Sequence, residues 1–172
     1  MHIIENNLEV VEYENLLLPI SIKIRELIQY KNKRALCHWH DDIEIIKILS
    51  GFNVNFYING EIFRLIKDDI LIVNSKQIHY GYEYNHDDCK FICLMVNPSV
   101  LKINKAMYQE YVIPIIENNG LLAWCLKNNE GKQLDRILFA LIDWQEKSCR
   151  AKEWRLLSLV YDLWYQIYNF NR

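Results

Sequence analysis

The chain lacks any stretch that concentrates lysine and arginine, and its 20 basic and 22 acidic residues leave a net charge of −2. A protein that binds nucleic acid by itself needs a basic face for the phosphates, so this chain is not expected to bind DNA or RNA on its own. It also lacks an apolar run long enough to span a bilayer and an N-terminal targeting pattern. We therefore expect a cytoplasmic protein without a membrane partner.

No Cys-x-x-Cys motif occurs, and the number of cysteines is odd. This pattern predicts neither a disulfide framework nor a cysteine-based zinc site. We expect reduced and buried thiols, as is usual inside the cell, at Cys37, Cys89, Cys93, Cys125 and Cys149. Hydrophobic residues make up 51% of the 172 positions, which is enough for a packed core and excludes a disordered chain.

Short apolar runs separated by turn residues fill the first half of the chain, a pattern typical of an antiparallel barrel or sandwich. The dipeptide Asn59-Gly60 lies between two such runs and predicts a tight hairpin. The predicted strands cover residues 20–24, 35–40, 44–49, 52–58, 61–65, 70–73, 79–84, 91–96 and 121–126.

Two histidines separated by one residue, His38 and His40, lie on one of these strands and therefore point to the same face. Glu44 opens the next strand, and His79 on a later strand can join them. Three imidazoles and one carboxylate inside a small barrel form either a metal site or the polar floor of a ligand pocket. Both interpretations stay open from the residues alone.

Two helices are predicted near the C-terminus, over residues 132–148 and 153–170. The second has a narrow polar stripe, with Arg155, Ser158 and Asp162 among its few polar residues. A helix that is apolar around most of its circumference must be buried on most sides, and one face of a barrel cannot cover it.

This helix either packs between the preceding helix and the barrel, or it also contacts a second copy of the chain or a further domain. The second interpretation predicts a two-fold homodimer. Its candidate interface residues are Leu134, Ile137, Leu138, Leu141, Trp144, Trp154, Leu157, Tyr161, Trp164, Tyr165 and Tyr168.

The spacing His38-x-His40-x3-Glu44-x6-Gly51 resembles the first motif of the cupin superfamily. A second cupin motif is weaker, since Asp68 and Lys76 stand where glycines are usual, but His79 keeps the position of its histidine. The resemblance implies a mainly β fold with C-terminal α structure. Its core is a cupin-like antiparallel β-barrel (a double-stranded β-helix) that is followed by two packed helices.

A narrower resemblance, to the sensor domain of AraC/XylS-family transcription regulators, covers most of the chain. It rests on residues 37–45, Gly51, residues 57–60, residues 67–74 and His79. It implies a ligand-sensing barrel over residues 1–128, with its motif region at 36–98, and a two-helix dimerisation segment over 129–172. It further implies that DNA is bound by a C-terminal helix-turn-helix region outside this chain.

The resemblance implies a small-molecule effector held by some of His38, His40, Glu44 and His79. The same four residues are the ligand set of metal-binding cupins, and imidazole with carboxylate suits zinc, iron, manganese or nickel. We therefore expect a sensing and dimerisation domain without catalytic residues, and we assign it no cofactor. The alternative is a metal-dependent cupin enzyme that acts on a small organic substrate.

Overall fold

The structure is a computed structural model that describes residues 3–15, 17–51, 54–83, 89–118 and 120–170. The predicted strand ends at Phe52 and Tyr84 lie outside the described residues. The strands are β1 (Ile20–Glu26), β2 (Ile43–Ser50), β3 (Val54–Ile58), β4 (Glu61–Leu65), β5 (Ile70–Val73), β6 (His79–Glu83), β7 (Lys90–Val96) and β8 (Ala123–Leu126). The helices are α1 (Lys105–Tyr111), α2 (Ile113–Ile116), α3 (Lys132–Glu146) and α4 (Lys152–Phe170).

The strands form two antiparallel sheets that face each other. The larger has the order β1-β7-β2-β5-β8, and the smaller has the order β4-β3-β6. Isolated bridges such as Arg34 to Tyr82 and His38 to His79 add chain segments to the edge of the small sheet. The predicted class, mainly β with C-terminal helices, is confirmed, although the described strands make two sheets rather than one continuously bonded barrel.

The hairpin between β3 and β4 turns at Asn59 and Gly60, as the sequence predicts. Both residues have positive φ, 44° and 101°, which a two-residue turn between right-handed twisted strands requires. The turn sets the register that pairs Ile58 with Glu61 and Phe56 with Phe63. Since side chains alternate along a strand, this register directs Val54, Phe56 and Ile58 to the interior.

The large sheet is buried on both faces, because helices cover the face that does not meet the small sheet. Along β2, Ile46 and Ile48 pack between the two sheets, whereas Ile43 and Ile45 pack under the helices. This explains why β2 is a nearly continuous apolar run instead of an alternating one. Each aliphatic side chain buried in these layers stabilises the fold by about 1.5–3 kcal/mol.

Helices α3 and α4 pack on each other and on the outer face of the large sheet. The buried side of α4 carries five apolar residues: Leu156, Leu159, Val160, Leu163 and Ile167. The first of the two alternatives, packing of α4 between α3 and the sheet, therefore accounts for one side of this helix. Its opposite side still exposes Trp154 at 72% and Tyr165 at 64%.

A buried lysine joins β2 to α3. Lys47 is 2% exposed, and its ammonium lies 2.9 Å from Oδ1 of Asp135 and donates to the carbonyl oxygen of Asp68 at 2.9 Å. A charged group in this position is tolerated because both partners compensate its loss of hydration. The sequence pattern does not predict this contact, since a lysine within an apolar strand carries no signal of its partner.

Two local predictions need correction. Residues 35–40 are extended but form only isolated bridges and not a full strand. Cys37 and Cys149 are exposed, so only part of the predicted buried thiol set is buried. Pro114 lies in the first turn of α2, where a missing N–H leaves no hydrogen bond unmade. Within the described residues, no helix combines the length and apolar character that crossing a membrane requires.

Candidate functional site

The site is built where the segment before β2 meets the start of β6. His38 and His79 exchange both backbone hydrogen bonds, at 3.0 and 2.8 Å, which places their side chains on the same face. His40 lies two residues further along and shares that face. The ring centroids of His38, His40 and His79 lie 4.2–5.6 Å from one another, and all three rings are buried.

Glu44 approaches the three rings from β2. Its Oε2 atom lies 2.6 Å from Nε2 of His79 and 3.4 Å from Nε2 of His40. The Cys93 thiol of β7 donates to Oε1 of Glu44 at 3.1 Å. The structure therefore brings together all four predicted residues, in a cluster that we call the His–Glu cluster: His38, His40, Glu44 and His79.

Backbone carbonyls fix the orientation of each imidazole. Nδ1 of His38 lies 2.7 Å from the carbonyl oxygen of residue 36, Nδ1 of His40 lies 3.1 Å from that of residue 42, and Nδ1 of His79 lies 2.8 Å from that of residue 77. A carbonyl oxygen can only accept, so each Nδ1 carries the hydrogen and donates it. Nε2 of His40 and His79 then faces Glu44.

In this orientation, the Glu44 carboxylate and the ring nitrogens that face it would all be hydrogen-bond acceptors. A carboxylate can only accept, so Nε2 of His79 at 2.6 Å must either carry a second proton or share a cation with Glu44. Burial by itself raises the pKa of Glu44, but the imidazoles of His79 and His40 outweigh it and hold that pKa well below its ordinary value. Burial lowers the pKa of His40, and the nearby carboxylate outweighs this effect and raises it.

A second carboxylate, from Glu9, also reaches the cluster, and the sequence pattern does not predict it. Its Oε2 lies 3.2 Å from Nε2 of His38, and the side chain is buried. The contact exists because the N-terminal segment runs beside the His38 segment, where the Glu9 amide donates to the carbonyl oxygen of Trp39 at 2.8 Å. Nothing in the sequence distinguishes Glu9 from Glu5 or Glu12, so no pattern could have singled it out.

The cavity beside the cluster is small. Its volume is about 40 Å³, and its walls include Glu9, Arg25, Tyr30, Phe56 and Met95. A water molecule needs roughly 10–15 Å³ of such space, so the cavity has room only for a few waters or for an ion with water. An organic effector does not fit inside the barrel in this conformation, and the predicted ligand-binding role of the four residues stays a prediction.

The donor set fits a metal ion. One ligand atom from each member of the His–Glu cluster lies within 4.8 Å of the others. Nε2 of His40 is buried and has no well-formed hydrogen bond, and the carbonyl partners of Nδ1 are the support that metal-bound imidazoles usually have. His38, His40, Glu44 and His79 are therefore the residues that would hold a metal.

The candidate interface residues on α3 and α4 separate into two groups. Leu134, Leu138 and Leu141 are fully buried within one chain, beneath α4 and against the sheet, so they are not available to a partner; this corrects the prediction. Helical spacing identified them as apolar but could not show what covers them. The others keep exposed surface: Ile137, Trp144, Trp154, Leu157, Tyr161, Trp164, Tyr165 and Tyr168.

A protein-family model described as "AraC-like ligand binding domain" matches residues 29–152. Among curated proteins, the uncharacterized HTH-type transcriptional regulator YdeC of Bacillus subtilis (strain 168) is 32% identical over 129 residues. That alignment covers 74% of this chain and 44% of the relative, so the chain spans less than half the length of the relative that it matches.

Among solved structures, an apo form of ToxT from Vibrio cholerae aligns with a TM-score of 0.56 and 12% identity, over 87% of this chain and 57% of that one. This likeness shows the fold. Salicylate 1,2-dioxygenase from Pseudaminobacter salicylatoxidans aligns with a TM-score of 0.41 and 14% identity, over 64% of this chain and 26% of that one. A score this low supports no inference about this chain.

Replacing Glu44 by Gln tests the electrostatics of the cluster. The lowered pKa of Glu44 gives stability that is present above its ordinary value of 4.5 and is lost as the pH falls through the folded value. The raised pKa of His40 gives stability that is full below 6.5 and is lost as the pH rises through the folded value. In EDTA, we expect Glu44→Gln to cost about 3 kcal/mol of unfolding free energy at pH 5.5 and less at pH 9.

Urea unfolding at the two pH values measures this difference. The matched control is Glu61→Gln, which changes an exposed glutamate at the start of β4 and should cost less than about 0.5 kcal/mol. An equal cost of Glu44→Gln at both pH values would mean that the imidazoles do not stabilise the Glu44 carboxylate.

Proposed function

Because the chain belongs to the AraC-like ligand-binding domain family, we propose that it is the small-molecule-sensing and dimerisation part of a transcription regulator. In this proposal the DNA-binding region lies outside this chain. The family match over residues 29–152 and the 32% identity to a protein described as an HTH-type transcriptional regulator support it. The slightly acidic net charge of −2 agrees with DNA contacts made elsewhere.

The observation that carries the proposal is that side chains on the two faces of β2 contact the His–Glu cluster and α3. Glu44 on this strand joins the His–Glu cluster, and Lys47, three residues later and on the opposite face, is ion-paired to Asp135 of α3. A displacement of β2 at the cluster is therefore transmitted to α3 through an ion pair whose lysine is buried and whose aspartate is half-buried. The strand is rigid, since it is hydrogen-bonded on both sides to β5 and β7.

The N-terminal segment provides a second connection between the cluster and the helices. Glu9 contacts His38, and Asn15 donates to Glu153 near the start of α4 at 3.2 Å. The two contacts lie only six residues apart on one segment. A ligand whose affinity differs between two arrangements of this segment and β2 shifts the population of helix arrangements by that difference in affinity.

A divalent metal ion is the second candidate for the ligand of the His–Glu cluster. Nε2 of His40, which is buried and makes no well-formed hydrogen bond, and the fixed Nδ1 atoms support this candidate. When bound, the ion would supply the positive charge that Glu44 otherwise draws from protonated imidazole. With protonated imidazole or with a metal ion, the cluster would place a positive charge beside β2. A change in that charge would alter the charge balance on the strand.

We infer that the domain senses a ligand and does not catalyse a reaction. A metal-dependent cupin enzyme needs an open coordination position with space for its substrate. The cavity of about 40 Å³ beside the cluster is too small for an organic substrate next to a metal ion. The regulator relative and the family match favour the same conclusion.

A double-mutant cycle tests the attachment of β2 to both the cluster and α3. We expect Glu44→Gln and Asp135→Asn to show an interaction energy above about 0.5 kcal/mol in urea unfolding, because both act on β2 through buried contacts. The matched control pairs Glu44→Gln with Asp143→Asn, an exposed residue of the same helix that binds Lys147. An interaction energy no larger than that of the control pair would contradict the proposed coupling.

The dimerisation part is tested on the exposed side of α4. Tyr165→Glu should convert a dimer into a monomer, because an unpaired carboxylate at an apolar interface loses its hydration without compensation. Sedimentation velocity or light scattering measures the mass. Gln29→Glu, which places the same carboxylate on an exposed turn after β1 and away from α3 and α4, is the control and should stay dimeric. A folded Tyr165→Glu variant that keeps the wild-type dimer mass would remove this face from the proposal.

A further inference from the structure

A second and much larger space lies outside the two sheets. It is a solvent-open cleft of about 670 Å³ between the ends of the strands and the short helices α1 and α2. This volume is within the range of about 300–1,000 Å³ that small-molecule sites occupy. The cavity beside the His–Glu cluster is more than ten times smaller. The cleft therefore has room for an organic effector, which the cavity beside the cluster lacks.

Three lysines line the cleft, and their charges are only partly balanced. Lys76 pairs loosely with Asp41 at 3.9 Å, and the ammonium of Lys102 lies 5.3 Å from the centre of the Tyr108 ring. Among the described residues, Lys105 has no carboxylate partner. Glu117 is the second acidic residue of the lining, so cations exceed anions by one. This balance favours a ligand that carries a negative charge.

The remaining lining supplies both hydrogen-bond donors and apolar surface. Gln109 follows Lys105 by one helical turn on α1, so both side chains reach the same cleft. Ile113 and Ile116 of α2 present half-buried aliphatic surface beside Tyr108. A ligand that satisfies all of these groups has a charged head for the lysines and an apolar body for the isoleucines.

One wall of the cleft is hydrogen-bonded to the segment that carries His40, and the other is hydrogen-bonded to α4. On the strand side, Ser75 donates to the carbonyl oxygen of Asp41 at 2.7 Å, and the Lys76 amide donates to that of His40 at 2.8 Å. On the helix side, the Trp164 indole of α4 donates to the carbonyl oxygen of Tyr111 at 3.2 Å. A ligand that bridges the walls therefore contacts both the His40 segment and the helix that supports α4.

We propose that this cleft binds a small organic carboxylate with an apolar body, and that such a molecule is the effector of the domain. The effector role rests on the proposed sensing function, whereas binding in the cleft does not. The carboxylate contacts Lys102 and Lys105, and the apolar body contacts Tyr108, Ile113 and Ile116.

Cyclohexanecarboxylate is the probe for the test, with two partial analogues. Cyclohexanemethanol has the same ring without the charge, and inorganic phosphate has charge without the ring. In titrations followed by the methyl NMR signals of isoleucine, we expect the carboxylate to bind with a Kd on the order of 1 mM or lower. Both analogues should bind at least about tenfold more weakly, because each satisfies only one half of the cleft.

Lys105→Glu reverses a charge in the cleft and should weaken carboxylate binding by at least about tenfold. The control Lys67→Glu makes the same change on an exposed turn before β5 and should leave binding unchanged. Failure of the carboxylate to bind, equal binding of the alcohol, or an unchanged affinity in Lys105→Glu overturns the assignment of the cleft.

Sedimentation of the same samples separates this proposal from the sensing function. A shift of the monomer–dimer equilibrium on binding, absent in Lys105→Glu, is the result expected for an effector. Binding that depends on Lys105 but leaves the equilibrium unchanged contradicts the effector role, while the cleft keeps its assignment as an anion site.

Discussion

The buried carboxylate of Glu44 is the constraint on which the arrangement of the site depends. A carboxylate inside a protein loses several kcal/mol of hydration, and the loss must be offset by nearby positive charge and donors. His79, His40 and the Cys93 thiol supply them. The His40 and His79 imidazoles present Nε2 to Glu44 while Nδ1 donates to a carbonyl oxygen, so the backbone around these two histidines is tied to the same requirement.

Because side chains alternate along β2, the constraint at Glu44 also affects the opposite face of the strand. Glu44 faces the space between the sheets, and Lys47 faces α3, where it binds Asp135. Two buried charges of opposite sign therefore hold one rigid strand from its two sides. A change in the proton, metal ion or ligand bound beside Glu44 therefore acts on the position of Lys47. This is the physical basis of the proposed relay to the helices.

Much of this arrangement could be predicted from the sequence, because it follows from periodicity. The spacing of His38, His40 and Glu44 and the turn at Asn59-Gly60 depend on local geometry alone, and the structure agrees with both. Periodicity cannot say what lies opposite a given face. It therefore gave no sign of Glu9 beside His38, and it assigned Leu138 to an interface that α4 already covers within the chain.

The positions of the hydrogens on the cluster histidines test this arrangement of the site. Long-range proton–nitrogen NMR spectra of metal-free, ¹⁵N-histidine-labelled protein, assigned with single His variants, report which ring nitrogens carry hydrogen. We predict that His38, His40 and His79 all carry hydrogen on Nδ1, because each of these atoms faces a backbone carbonyl oxygen. A bare Nδ1 with a protonated Nε2 at His40 or His79 would contradict this arrangement.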